Sequence, residues 1–466
     1  MNGHNGIMLI RIVYCRYCGC RWRTMFSQAW LVLLIALFPV AAEEARPPNV
    51  VLIYTDDQGS VDLGCYGADD LLTPHTDRLA ETGIRFTTMY APAPICSPSR
   101  AGLLTGRHPA TVGVPGNVGR SGRDGLAGTA TMAHMFQRAG YATALTGKWH
   151  LGHGNDNRPK ANGFDHWFGH LGGCIDNYSH FFYWSGPNEH DLWRNGERVV
   201  YDGKYFPDLV IDEAERFIDR NLSKPFFIYV ALNTPHYPYQ GEEKWLKHYR
   251  EAGVAHPRDL YNAFVSSQDE RIGRLTKILE DRGLRDDTII IFQSDHGHSV
   301  EERAHFGGGS AGPFRGAKQS LFEGGLRVPS IISYPGRLPG NEVREQMVSA
   351  MDWLPTLAGL CGIEPVEGNL DGRSMVAILE SEDAPEIHES LYWSFRVRQW
   401  AVRQGPWKLI RHPHSPVRGD TLPAEDRGWF LSRLDHDPGE RNNLAADHPE
   451  IVERLKAARP DWARDQ

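Results

Sequence analysis

Four short apolar runs in this chain lead straight into polar clusters. Asn49–Thr55 (NVVLIYT) ends at Asp56-Asp57, residues 141–145 lead to Lys148 and His150, residues 226–232 lead to His236, and residues 288–292 lead to Asp295-His296. Runs of this length and apolarity read as buried strands. In open α/β sheets the carboxyl ends of the strands converge on one crevice, where ligands bind, so these residues are expected to meet. Adjacent aspartates at a buried strand end repel and raise each other's pKa unless a cation neutralises them. A divalent metal is the expected solution. Carboxylate oxygens suit calcium or magnesium, and the histidine leaves zinc or manganese open.

Between the first and second clusters lies Cys96-Ser97-Pro98-Ser99-Arg100, followed by Leu104-Thr105-Gly106-Arg107. Here the chain resembles the sulfatase family. The signature C-x-P-S-R with a downstream T-G-R is matched in full, and so is a second one, Gly140-Tyr141-x-Thr143-x-x-x-Gly147-Lys148-Trp149-His150-Leu151-Gly152. The resemblance runs on through Ser294-Asp295-His296-Gly297, Lys318, Glu323-Gly324-Gly325 and Val328-Pro329 to Asp437-Pro438-Gly439-Glu440. It covers nearly all of the chain beyond Asn49. Residues 307–318 also resemble the N-acetylgalactosamine-6-sulfatase branch.

The resemblance implies hydrolysis of a sulfate ester by a Cys96 that a formylglycine-generating enzyme has oxidised to formylglycine, whose hydrated aldehyde is the nucleophile. A sulfated serine would need a second difficult displacement, whereas a hemiacetal sulfate expels sulfate by collapsing to the aldehyde. By the same resemblance Asp56, Asp57, Asp295 and His296 are metal ligands, with an oxygen from modified Cys96, and the ion polarises the sulfate. Arg100 and Lys148 hold the nucleophile and the sulfate oxygens, His150 assists collapse, and His236 and Lys318 bind sulfate and protonate the leaving oxygen. The family often carries asparagine where this chain has His296, a departure that bears on the choice between Ca2+, Mg2+ and another divalent ion. Alternatives are a phosphonate or phosphodiester hydrolase of the same superfamily and a silent sugar-binding homologue in which Cys96 stays a thiol.

The elements that must position these residues alternate as strand and helix from Asn49 onward, which defines an α/β class. The resemblance implies the alkaline-phosphatase-like version: a large, mostly parallel sheet flanked by helices. Thr73-Pro74 opens a helix that stops at Gly83, and Tyr261, Phe264, Val265, Ile272, Leu275 and Leu279 recur at helical spacing. The catalytic domain spans residues 47–380. Residues 385–466 change character, with short strands at 391–395, 400–402 and 407–410 and a closing helix at 450–457, and form a smaller C-terminal α+β subdomain.

Residues 164–206 hold 12 aromatic side chains in 43 positions. They fit equally an edge core and loops that stack on sugar rings or aryl groups. Glycines at 113, 116, 119, 122, 125 and 128 recur every third residue with a single proline among them. That is a surface loop near the site rather than a collagen repeat.

Composition limits the remaining choices. The chain of 466 residues has 13 Trp, 17 Tyr and 19 Phe, too much apolar surface for disorder. Net charge is −8, and setting aside the four arginines of residues 1–42, which hold no Asp or Glu, leaves −12 on the rest. A nucleic-acid partner held by a basic face is disfavoured. Arg11, Arg16, Arg21 and Arg23, the apolar residues 30–38 and Val40-Ala41-Ala42 read as a signal peptide over residues 1–42 and a secreted or periplasmic protein. The apolar run of residues 29–42 falls short of the ~20 residues of a membrane span. Cys15, Cys18 and Cys20 lie in that leader, and Cys65, Cys96, Cys174 and Cys361 are too few and scattered for a disulfide framework.

Overall fold

A computed structural model describes residues 46–119, 125–184, 188–366, 368–396 and 398–463. The leader with its three cysteines lies outside the described residues, as do residues 120–124 of the glycine-spaced stretch.

Asn49–Thr55 carries an apolar side chain at nearly every position because it is the middle of the sheet. It pairs in parallel with Phe226–Ala231 on one side and Thr288–Ser294 on the other. Ala142–Lys148 and His166–His170 continue the parallel set beyond Phe226–Ala231. Short strands finish the ten-stranded sheet. Ser330–Ser333, Ile84–Phe86 and Glu342–Arg344 lie on one flank, and Trp193–Arg194 and Glu197–Arg198 on the other.

Successive residues of a strand face opposite sides, and the two layers of helices divide accordingly. Val50, Leu52 and Tyr54 pack with residues of Cys96–Thr105, Met132–Arg138 and Trp353–Cys361. Val51 and Ile53 pack with Phe206–Arg220 and with the 24-residue helix Arg258–Asp281, whose Ile272, Leu275 and Leu279 face the sheet. The helix expected after Thr73 is Pro74–Glu81, with Pro74 in its first turn.

The C-terminal part contains a separate four-stranded antiparallel sheet of Leu391–Phe395, Gln399–Gln404, Trp407–Arg411 and Trp429–Arg433, closed by the helix Pro449–Ala457. Its Trp393, Phe395 and Phe430 share a core with Tyr90, Phe322 and Leu326 of the larger part. Residues 46–466 form one compact unit. Cys65, Cys96, Cys174 and Cys361 are all free thiols, so packing alone holds the fold.

Candidate active site

The Cys-x-Pro-Ser-Arg segment is the start of a helix, Cys96–Thr105, all ten residues of which are buried. Ile95 enters it in an extended conformation, and Gly106 leaves it in the left-handed one (φ 63°). Pro98 is tolerated because the first four amides of a helix have no intrahelical acceptor. Cys96 and Arg100 are four residues apart and so share one face of the helix. Neighbouring side chains fix that helix start. Ser99 donates its hydroxyl to the Asp295 carbonyl at 2.5 Å, and Ser97 donates to the His150 carbonyl at 2.7 Å. The Ser97 amide donates to Asn117 Oδ1 at 3.1 Å. The partial positive charge of the helix N-terminus is thereby aimed where an anion would sit.

The strand ends deliver the other groups. Asp56 and Asp57 follow Thr55, Lys148 ends its own strand, His150 lies two residues past it, and Asp295-His296 follow Ser294. Asp57 (φ 65°) and His150 (φ 54°) both occupy the left-handed region, a cost that functional sites impose on non-glycine residues. His296 Nε2 stands 3.2 Å from Cys96 Sγ and 3.6 Å from Asp57 Oδ1, and Cys96 Sγ stands 3.7 Å from Asp56 Oδ1. One ligand atom from each of Asp56, Asp57, Cys96 and His296 lies within 4.8 Å of the others.

Three cations interleave with these carboxylates. Lys148 Nζ is 2.5 Å from Asp56 Oδ2, Lys318 Nζ is 2.9 Å from both oxygens of Asp57, and Arg100 Nη2 is 3.0 Å from Asp295 Oδ2. Asp295 Oδ1 accepts the Asp57 amide at 3.1 Å and lies 3.4 Å from His296 Nε2. His236 Nδ1 donates to its neighbour's carbonyl at 2.7 Å, which leaves Nε2 facing Asp57 Oδ2 at 3.7 Å. The ten residues expected at the crevice are therefore all brought there.

Burial opposes every charge in the cluster, and the partners decide which charges survive. Burial works against ionising Asp56, but Lys148, Arg100 and Lys318 hold its pKa well below the usual carboxylate range. Burial, with the charges of Asp56 and Asp295, pushes Asp57 up to about 6. His296 is raised to about 9, the Asp295, Cys96 and Asp57 neighbours outweighing burial. His150 and His236 are driven well below the ordinary imidazole value, chiefly by burial, and are neutral near pH 7. Lys318, by contrast, is held charged by Asp57 against its burial.

Two carboxylates and an imidazole, with Cys96 Sγ beside them, form a donor set that fits a divalent ion. Arg100, Lys148 and Lys318 already balance Asp56, Asp57 and Asp295. An added ion thus leaves the crevice net positive, as an anionic ester requires.

Above the cluster opens a cavity of about 300 Å3 lined by Cys96, His150, His236 and Lys318. Its wall holds groups that strand-end reasoning does not reach. Glu301 lies 3.4 Å from Lys318 and accepts from Tyr237 Oη at 3.0 Å. Asn117 also lines it, beside Val118 and Gly119 of the glycine-spaced stretch, whose composition is the one signal for it. In the aromatic region Phe164, Trp167, Phe168 and Phe206 are buried in the core, while Phe182 and Trp184 line the cavity.

A sheet of this order, with Cys96 at a helix start and a polar crevice at the strand ends that could hold a metal ion, has the layout of an α/β enzyme. Residues 48–363 match the Sulfatase family model and residues 315–460 match that of the N-sulphoglucosamine sulphohydrolase C-terminal region, and the chain belongs to the sulfatase family. It is 31% identical to N-acetylgalactosamine-6-sulfatase of Canis lupus familiaris over 93% of this chain and 89% of that one. Arylsulfatase A of Homo sapiens is 33% identical over 91% and 89% respectively. Among solved structures, Ps i-CgsB in complex with k-i-k-neocarrahexaose superposes with a TM-score of 0.77 at 28% identity, covering 88% of this chain and 92% of that one. The protein is thus a sulfuric ester hydrolase with the fold of its family.

Proposed function

We propose that this enzyme releases sulfate from a sulfated carbohydrate, using formylglycine formed from Cys96 and one divalent ion, with calcium the expected one. The observation that carries the reading is the position of Cys96: first residue of a buried helix, within 4.8 Å of Asp56, Asp57 and His296, at the floor of the cavity. The ion, held by Asp56, Asp57, Asp295, His296 and residue 96, would supply polarisation of the sulfate when bound. Arg100 stays paired with Asp295 and orients the helix face that carries residue 96. Lys148 and Lys318 bear full charge and hold the sulfate oxygens. Lys318 also carries the proton that the leaving oxygen needs, and neutral His236 beside it orients that oxygen. His150, neutral and packed against Gly173, takes the proton when the nucleophile is restored. The aromatic faces of Phe182, Trp184 and Tyr237 suit a sugar ring, and the oligosaccharide bound by Ps i-CgsB supports that substrate class.

Export supports the same reading, since residues 1–42 have the order of a signal peptide and sulfated polysaccharides are met outside the cell. Among the described residues no helix is long and apolar enough to cross a membrane. The residue range 47–380 serves as catalytic domain and 385–466 as the smaller subdomain that closes over its edge.

Peptide mass spectrometry of active enzyme tests the nucleophile, and the expected species at residue 96 is the aldehyde or its hydrate. Sulfate release is then screened over defined sulfated saccharides beside an aryl sulfate and an aryl phosphodiester. Full activity with an unmodified thiol, or faster turnover of the phosphodiester, overturns the proposal.

A further inference from the structure

The reaction leaves one group of metal-ligating side chains unused. His180, His190 and Asp202 each offer a ligand atom within 4.8 Å of the others, at a place separate from the crevice. His180 is fully buried, and its Nε2 lies 3.0 Å from the Lys204 carbonyl. A carbonyl only accepts, so Nε2 carries the proton and Nδ1 presents its lone pair. That Nδ1 is buried without a hydrogen-bond partner. His190 Nε2 is likewise buried and unpartnered, 3.8 Å from Asp202 Oδ1. Two bare imidazole nitrogens turned away from any donor are costly in a folded protein. A ring whose other N–H is fixed on a carbonyl is the arrangement in which histidines hold metals.

We propose that His180, His190 and Asp202 form a second metal site that takes a zinc-class ion and staples the aromatic wall of the cavity. Two imidazoles and a carboxylate match the donor preference of zinc, with a water completing the tetrahedron. A tetrahedral zinc ion holds its donors about 3.4 Å apart, so the three must close by about 1 Å. The Asp202 side chain is 68% exposed and free to move that far.

The local structure needs such a staple. Phe181–Phe182 and Glu189–His190 form a ladder of two residues per strand, too short to be stable alone. Phe182 and Trp184 of this hairpin line the cavity. Asp191, next to His190, accepts the Gly172 amide at 2.7 Å and so fixes the loop that backs His150. Asp202 sits in the turn beneath, where the Gly203 amide donates to the Tyr178 carbonyl at 2.9 Å. An ion here ties hairpin and turn together, whatever reaction the crevice performs.

The test is zinc uptake by full-length enzyme presaturated with calcium, followed by metal analysis and thermal unfolding. The expected result is one equivalent of zinc and a higher Tm. Asp202→Asn, at an exposed position, and His190→Gln should each weaken zinc binding at least tenfold and abolish the Tm rise. Asp57→Ala, which disables the crevice, should leave zinc uptake intact. No uptake by the wild type, unchanged affinity in His190→Gln and Asp202→Asn, or loss of the zinc with Asp57→Ala overturns the proposal.

Discussion

Two of the buried charge clusters in this molecule are built to opposite ends. At the seam between the large sheet and the C-terminal one, Lys408 Nζ lies 2.8 Å from Glu323 Oε1 and 3.2 Å from Glu440 Oε1. The other oxygens are filled too. Tyr90 donates to Glu323 Oε2 at 2.7 Å, the Glu323 amide donates to Glu440 Oε2 at 2.6 Å, and Arg403 reaches Tyr90 Oη. Every group there is enclosed by protein. In the crevice the same chemistry of carboxylate and ammonium, beside a thiol and an imidazole, opens onto a cavity. A buried ion cluster that is closed on all sides fixes a geometry, whereas one left open on a single side binds something.

The largest expected effect separates the two clusters outright. Cys96→Ala should lower kcat/KM for an aryl sulfate by at least about 1,000-fold, the scale of losing a covalent nucleophile, with Tm nearly unchanged. Asp57→Ala should lose bound metal and hydrolysis together, read by metal analysis and sulfate release. His296→Asn sharpens that result. If the histidine only replaces an asparagine, calcium suffices and substantial activity survives. If the imidazole selects a softer ion, metal preference moves toward calcium or magnesium.

At the seam the opposite pattern is expected. Lys408→Met leaves Glu323 and Glu440 facing each other without their cation and should cost about 3–5 kcal/mol of stability. Activity per folded molecule should stay within about twofold, so equal losses of activity and Tm would erase the contrast between seam and crevice. The smallest effect is a slope. Burial and the Glu323 charge push Glu440 up to about 7 in the folded protein. The folded state then binds more protons than the unfolded one between an ordinary glutamate pKa near 4.3 and pH 7, and stability falls as pH rises through that window. Glu440→Gln should flatten this part of the curve in denaturant titrations at successive pH values.

Much of the crevice is legible in the sequence because parallel strands buried on both faces write continuous apolar runs, and the residues just past each run lie at the same edge. Thus Asp56, Lys148, His236 and Asp295 can be placed without any long-range information. Lys318 and Cys96 come from resemblance, since neither follows such a strand. Trp429–Arg433 escapes sequence reading because five residues ending in Ser-Arg give too little pattern to separate strand from loop. Glu301 and Asn117 lie on connections, where partners are chosen by tertiary approach. Glu323 and Glu440 read only as marks of family, and nothing local can tell that 117 residues of chain separate two ends of one buried hydrogen bond.

The strand that bears Asp56 and Asp57 is first in the chain yet innermost in the sheet, and this sets a timetable for biosynthesis. Asp57 meets Asp295 across 238 residues. At translation rates of 5–20 residues per second, the carboxylates wait about 10 to 50 s before both flanking strands have been synthesised. Its first edge has no partner until Phe226–Ala231 has been made, and its second waits for Thr288–Ser294. Yield in a foreign host should therefore be governed by holdase chaperones and growth temperature more than by final stability, as expected for a topology whose central pairings join strands far apart in the chain.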